Sequence, residues 1–239
     1  MKKSRCLGLV GGLGVGATVH YYQALAEAHE KLGRVLDIVI AHAETSRVFE
    51  YVQAGDREGL SQYLCGFIQR LKAAGAKLVA IPAVTPHFCI RELMGASALP
   101  VLNIFEPLVN ELEARSAQRI AVFGTSFVME SRLFGLAGNV EIIPAKPDEA
   151  KYIHETYVEI ARRGRSTDEQ HRTLTTLGNT LRQRERIDLI VLAGTDLALV
   201  FNPANTDFPY IDCAALHLRA ILRELTGQEP VGTAELSTH

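Results

Sequence analysis

The chain of 239 residues repeats one local pattern, in which a short apolar run ends in a polar turn and continues into a helix. Residues 78–82 (LVAIP) lead into the turn 83–87 (AVTPH), and residues 189–192 (LIVL) lead into the turn 193–196 (AGTD). A strand that ends in a turn before a helix is where open α/β sheets place their ligand-contacting groups. The two junctions therefore predict α/β sheets with functional groups at the strand ends.

Apolar runs and helical periodicity alternate along the whole chain. The predicted strands are residues 5–10, 36–42, 77–82, 99–104, 119–123, 140–143, 187–192 and 209–212. The predicted helices are residues 17–32 (with Thr18 as N-cap), 56–74, 87–94, 105–115, 127–136, 147–163, 166–184 and 213–226. This alternation predicts parallel strands covered by helices on both faces. The predicted fold class is α/β, with two similar Rossmann-like lobes, parallel four-stranded sheets and an interlobe cleft.

The predicted domain boundaries follow from the restart of the pattern near residue 105. Residues 1–104 plus 210–227 form the first lobe with its closing helix, and residues 105–209 form the second. Residues 228–239 are expected to be a flexible C-terminal tail. No low-complexity linker separates the halves, so we expect them to pack closely.

Composition narrows the function classes. The net charge of −2 and the 22% charged content give no basis for a nucleic-acid or membrane partner. No apolar run reaches the roughly 20 residues of a membrane span, and glycines interrupt the apolar stretch after the basic N-terminus, so no signal peptide is expected. The cysteines lack metal-finger spacing, which indicates free thiols in a cytoplasmic protein without a bound metal. They are Cys6, Cys65, Cys89 and Cys213.

A glycine-rich turn follows the first predicted strand. Backbone N–H groups of Gly11, Gly12 and Gly14 are placed to bind a carboxylate or phosphate, although a tight turn without a ligand is an equal alternative. A dinucleotide is disfavoured because the second strand ends in His42 rather than an acidic residue, with nearby Glu44 keeping that reading open.

Four hydroxyl side chains and one guanidinium lie in predicted turns and loops. The hydroxyls can donate hydrogen bonds to a substrate carboxylate, and helix N-capping is their competing role. Arg47, placed in the loop after the second strand, can pair with a carboxylate or can be a solvated surface residue. The four hydroxyls belong to Thr85, Thr125, Ser126 and Thr195.

Three residues are candidates for acid–base chemistry. His87 and His217 are candidates because histidine ordinarily titrates near neutral pH, although a histidine on an apolar helix such as 213–226 can equally be a core residue. Asp196 is a carboxylate at a strand end, and an N-cap role is its alternative.

Five segments in order resemble one family. The segments are LGLVGGLGVGATVHYY (7–22), IPAVTPH (81–87), VFGTSFVME (122–130), LAGTDL (192–197) and YIDCAALHLRAIL (210–222). Together they are similar to the aspartate/glutamate/hydantoin racemase superfamily over nearly the whole chain. That resemblance implies cofactor-independent inversion at Cα by two thiols that approach from opposite sides, a small amino-acid or carboxylate ligand, and a homodimer.

The chain departs from the implied chemistry at both thiol positions. Ala83 stands where the resemblance implies the first cysteine, and Gly194 where it implies the second. The four cysteines that are present are expected to be small buried residues. The resemblance favours substrate contacts at Thr85, Thr125 and Thr195.

Two classes of function follow. The first is a racemase-like enzyme with altered bases, which includes a lyase or decarboxylase acting on a small amino or dicarboxylic acid. The second is a catalytically inactive homologue that binds a small carboxylate as a sensor.

Overall fold

The computed structural model describes residues 5–227. Within them the chain forms two compact units, one of residues 5–103 with 217–227 and one of residues 104–216. Each unit contains one four-stranded parallel sheet, which confirms the predicted α/β class with two four-stranded parallel sheets. The tail predicted for residues 228–239 lies outside the described residues.

The first unit is built from four strands and four helices before residue 104. In order they are β1 (Leu7–Gly11), α1 (Val15–Lys31), β2 (Ile38–His42), α2 (Thr45–Ala54), α3 (Arg57–Ala73), β3 (Leu78–Ala80), a 3-10 helix (Thr85–Cys89), α4 (Ile90–Ala96) and β4 (Val101–Leu102).

The second unit repeats the alternation. Its elements are α5 (Phe105–Ala114), β5 (Arg119–Phe123), α6 (Ser126–Glu130), a 3-10 helix (Leu133–Gly135), β6 (Glu141–Ile142), α7 (Pro147–Arg163), α8 (Asp168–Glu185), β7 (Leu189–Leu192), a 3-10 helix (Thr195–Leu199) and β8 (Tyr210–Asp212). Helix α9 (Cys213–Thr226) follows β8, and from His217 onward it belongs to the first unit.

The two sheets have the same strand order. The first is β2-β1-β3-β4 and the second β6-β5-β7-β8, so each has its first strand inside and its second strand at an edge. Strands β1, β3 and β7 are buried along their whole length, whereas edge strand β2 is partly exposed. Helices that cover both faces of a parallel sheet explain why the inner strands are continuous apolar runs.

Three local predictions were wrong. The loop predicted at Arg47 is instead part of α2, because Val48 and Val52 bury one helical face and Gly55, at φ 68°, ends the helix in a left-handed conformation. Helix α1 begins at Val15 with Gly14 as N-cap, since the Thr18 hydroxyl donates to the Gly14 carbonyl instead of capping the helix.

The helix predicted for residues 127–136 is interrupted. It divides into α6 and the 3-10 helix at Leu133–Gly135 because Arg132, Leu133 and Phe134 have φ values of 51°, 55° and 59°. No right-handed helix continues through left-handed backbone. Among residues 5–227, no helix is long and apolar enough to cross a membrane.

Candidate functional site

In each unit, the candidate side chains follow strands that pair in parallel. In the first, Leu9 of β1 pairs with Ala80 of β3, so the turns after these strands leave the same edge of the sheet. In the second, Phe123 of β5 pairs with Leu192 of β7, and the turns beginning at Gly124 and Ala193 lie side by side.

The glycine turn after β1 is closed by its own hydrogen bonds. The N–H of Gly12 donates to Thr18 Oγ1 at 3.0 Å, and Thr45 Oγ1 donates to the Gly12 carbonyl at 2.9 Å. Gly12 has φ 84°, and a Cβ there would lie 2.4 Å from the carbonyl oxygen of Ala43. A Cβ on Gly11 would lie 2.5 Å from Thr18 Cγ2. Anion binding by this turn stays a prediction. The Gly12 N–H already donates to Thr18, so an anion would have to use other donors.

His87 is buried beneath the turn after β3. Its Nδ1–H donates to the carbonyl oxygen of Ala83 at 2.8 Å, across the turn that starts with Ala83. The side chain has no exposed surface, and this burial lowers the pKa of His87 to about 4. The ring is therefore neutral at neutral pH, and its bond holds the turn in shape.

His217 lies next to His87, with ring centroids 6.2 Å apart. Its Nε2–H donates to the Leu102 carbonyl at 3.0 Å, so its Nδ1 accepts from the Tyr21 hydroxyl at 3.2 Å. Burial, followed by the effect of His87, lowers the pKa of His217 to about 3. With both ring nitrogens hydrogen-bonded inside the core, the geometry favours the structural alternative for this residue.

The remaining candidates of the first unit differ in exposure. Ala83 is buried, at 3% exposed, while Thr85 is partly exposed as the first residue of the 3-10 helix. Arg47 lies in helix α2, which corrects its predicted loop position, and it pairs with Glu50 at 2.9 Å on the exposed face. The placement of Arg47 favours the alternative of a solvated surface residue.

Thr125 and Ser126 form the start of α6 in the second unit. Thr125 is the N-cap, and its Oγ1 accepts from the N–H of Val128 at 3.3 Å. Ser126 is partly exposed, and its N–H donates to His154 Nδ1 at 3.1 Å. The N-capping alternative therefore describes Thr125, while Ser126 is one of the residues that line a cavity of about 390 Å³. The other lining residues are Val122, Met129, Glu130, Ile142, Ile143, Pro144, Ala145, Pro147, Ala150 and Lys151.

Asp196 lies in a buried polar cluster after β7. Both Asp196 and Thr195 have no exposed surface, and the hydroxyl of Tyr157 donates to Asp196 Oδ2 at 3.4 Å. Burial, followed by the charge of Asp196, raises the pKa of Tyr157 well above 10, so the phenol stays protonated. Asp196 sits inside the 3-10 helix whose N-cap is Gly194, which excludes its predicted alternative as an N-cap.

Tyr157 is the residue that sequence reasoning missed. It lies in the middle of the predicted helix 147–163, far along the chain from the turn it contacts, and it carries no motif. The one sequence signal for this contact was Gly194. A glycine at the end of an apolar strand indicates that another group approaches the backbone closely.

All four thiols are unsuited to act as bases. Burial is the largest cause raising the pKa of each, to about 11 for Cys6 and about 12 for Cys89, and upward for Cys65 and Cys213. A reactive thiolate needs a lowered pKa. Three cysteines are buried as expected, whereas Cys65 is only partly buried. Within residues 5–227, no group of three or more His, Cys, Asp or Glu side chains is arranged to hold a metal ion.

The protein is of a general class with two α/β units that share one strand order. In both units the turns at the carboxyl ends of the strands carry hydroxyl side chains and glycines. Residues 10–221 match the family model described as Asp/Glu/Hydantoin racemase. The chain therefore belongs to the Asp/Glu/hydantoin racemase family, as its five segments predict.

Known relatives are distant in sequence and similar in fold. The chain is 23% identical over 217 residues to the broad specificity amino-acid racemase RacX of Bacillus subtilis (strain 168), covering 87% of this chain and 93% of RacX. The structure of an aspartate racemase homologue from Pyrococcus horikoshii OT3 matches with a TM-score of 0.76 at 20% identity, over 95% of this chain and 100% of that one. Unliganded arylmalonate decarboxylase matches with a TM-score of 0.57 at 15% identity, over 94% of both chains.

Proposed function

We propose that this protein binds a small amino acid or dicarboxylic acid, and that any chemistry it performs is cofactor-independent and uses no thiol. The observation that carries the proposal is the pair Ala83 and Gly194 at the two implied thiol positions, together with the raised pKa of every cysteine present. Family membership supports a small-molecule ligand. The cytoplasmic location and the homodimer belong to the same proposal.

The ligand-contacting groups that we propose are hydroxyls at the strand ends. Thr85 and Ser126 are the partly exposed pair, so their hydroxyls are the first candidates to donate to a carboxylate. Thr125 and Thr195 are buried, which makes their hydroxyls the second candidates. The glycine turn at residues 11–14 is the proposed backbone contribution.

Two functions are consistent with this proposal. Binding without chemistry is supported by the full burial of His87, His217 and Asp196, the three predicted acid–base residues. A lyase or decarboxylase is the second candidate, supported by the fold likeness to arylmalonate decarboxylase. Decarboxylation needs a proton delivered to one face of Cα, whereas inversion needs a base and an acid on opposite faces.

A ligand panel tests the proposal. We expect at least one of the D- and L-amino acids, malonate, succinate or other small dicarboxylates to stabilise the protein, by about 2.7 kcal/mol at one hundred times its Kd. Release of CO₂ from one of these added acids in the same samples would favour the decarboxylase over binding without chemistry. If no acid raises the melting temperature, the proposed function is wrong.

A further inference from the structure

Position 194 requires glycine because there is no room for a side chain, and not because of its backbone conformation. Gly194 has φ −118° and ψ 111°, an extended conformation that any residue adopts. A Cβ at this position would lie 2.3 Å from Cε2 of Tyr157, 2.6 Å from Cδ2 and 2.8 Å from Cζ. Non-bonded carbon atoms pack at about 3.5–4.0 Å, so the aromatic ring already occupies the volume that a side chain on residue 194 would fill.

The ring of Tyr157 is held at both ends. Its body packs in the buried cluster of the second unit, against residues on the sheet and on the 3-10 helix at Thr195–Leu199. Its hydroxyl donates to Asp196, which has no exposed surface. Other members of the cluster include Phe123, Ile153, Ile160, Leu192 and Leu197. Because interiors are close-packed, moving the ring away from Gly194 would disturb its packing in this cluster.

We propose that Tyr157 is a specificity-determining residue that closes the second thiol position of this protein. Its ring and Gly194 form an exclusive pair, in which the ring excludes every side chain from residue 194. The turn after β7 therefore carries no side chain at residue 194, and the buried Thr195 and Asp196 follow it. The neutral phenol adds a hydrogen-bond donor to this turn rather than a base. This inference rests on the proposed function, because it explains which chemistry the binding site cannot host.

A double-mutant cycle tests the exclusive pair. Gly194→Cys should raise the equilibrium constant for unfolding by about tenfold or more, because it overpacks a closed core. In a Tyr157→Ala background the same change should cost several-fold less, since the ring is gone. In a Tyr157→Phe background the cost should equal that in the natural protein, since the ring is kept. Gly66→Cys, at a helical glycine whose Cβ would meet nothing within 4 Å, is the matched control.

The cycle separates this inference from the proposed function. If Gly194→Cys does not fold alone, Gly194→Ala adds only the Cβ and gives the same cycle. The pairing of Tyr157 with Gly194 would be overturned if Gly194→Cys lowered stability equally in the natural, Tyr157→Ala and Tyr157→Phe backgrounds. It would also be overturned if Gly194→Cys lowered stability no more than Gly66→Cys. That result leaves acid binding intact. Failure of every acid to stabilise the protein would defeat the proposed function and leave the cycle unchanged.

Discussion

Gly12 shows how a glycine motif can be explained by the backbone alone. Its positive φ and the carbonyl of Ala43 beside it require a residue without a side chain, and the Thr18 hydroxyl accepts its N–H. The motif is thus accounted for before any ligand is considered. A ligand at this turn would have to use other donors.

Substitution of two glycines separates close packing from conformation. Gly33→Ala should lower the free energy of unfolding by about 1 kcal/mol, the cost of left-handed backbone, because its Cβ would meet nothing within 4 Å. Gly12→Ala should cost more than about 3 kcal/mol, because it adds a collision with a backbone oxygen. Urea unfolding measures both, and equal losses would contradict this account of the turn.

The buried histidines predict a stability that rises with pH. The unfolded chain binds protons on His87 and His217 below their ordinary pKa of 6.5, while the folded chain does not until about pH 4 and 3. The unfolded state therefore binds more protons between pH 6.5 and 4, and stability falls as the pH falls through that window. Each histidine contributes at most about 1.4 kcal/mol per pH unit.

Replacement of one histidine tests that slope. We expect His87→Gln to lower stability at pH 7.5 and to flatten the loss between pH 7 and pH 5, measured by urea unfolding at each pH. Parallel pH profiles for the variant and the natural protein would show that His87 does not remain neutral when folded.

Among the helices, α6 and the 3-10 helix Thr85–Cys89 each have a threonine at their start, and only one of the two threonines acts as an N-cap. The Oγ1 of Thr125 caps α6, whereas the N-cap of the 3-10 helix beside Thr85 is Val84, with no side-chain cap. Thr125 is buried whereas Thr85 is partly exposed, so the Thr85 hydroxyl has the better exposure for a ligand.

Matched substitutions should separate these roles. Thr125→Ala should lower the free energy of unfolding by about 1 kcal/mol, and Thr125→Ser should restore it. Thr85→Val should reduce the stabilisation given by the best acid of the panel. Differential scanning fluorimetry with and without that acid measures both. A Thr85→Val variant that binds as tightly as the natural protein would remove Thr85 from the site.

The sequence predicted the existence of most elements and missed those set by tertiary contacts. The apolar runs of β1, β3, β5 and β7 are visible because the inner strands are buried on both faces. Helix α2 was missed although Val48 and Val52 have helical spacing, because two buried positions are a weak periodic signal. Most predicted site residues lie on turns, whereas Arg47 and His217 lie in helices α2 and α9. The burial of His87 and the contact of Tyr157 with Gly194 depend on residues distant in the sequence.

At the scale of the whole molecule, the repeated strand order matches the repeated junctions in the sequence. Both sheets place the second strand at one edge and the first strand inside, so the two units repeat one topology. The two units differ at the strand end after β3 and β7, where one has Ala83 and the other has Gly194 under an aromatic ring.

The homodimer stays a prediction of the family resemblance. Sedimentation velocity should give about twice the chain mass of 26.2 kDa. A single species at the mass of one chain, over the concentration range used for ligand binding, would contradict it.

By our proposal, this member of the racemase family works without a thiol base. Proton NMR in D₂O checks this by following the loss of the Cα–H signal of each amino acid in the panel. The natural protein is compared with single variants that replace each of its four cysteines by serine or alanine. We predict no Cα exchange that depends on a cysteine, because every thiol has a raised pKa and none stands at position 83 or 194. Exchange by the natural protein that disappears on replacing one cysteine, in a variant that remains folded, would contradict the account.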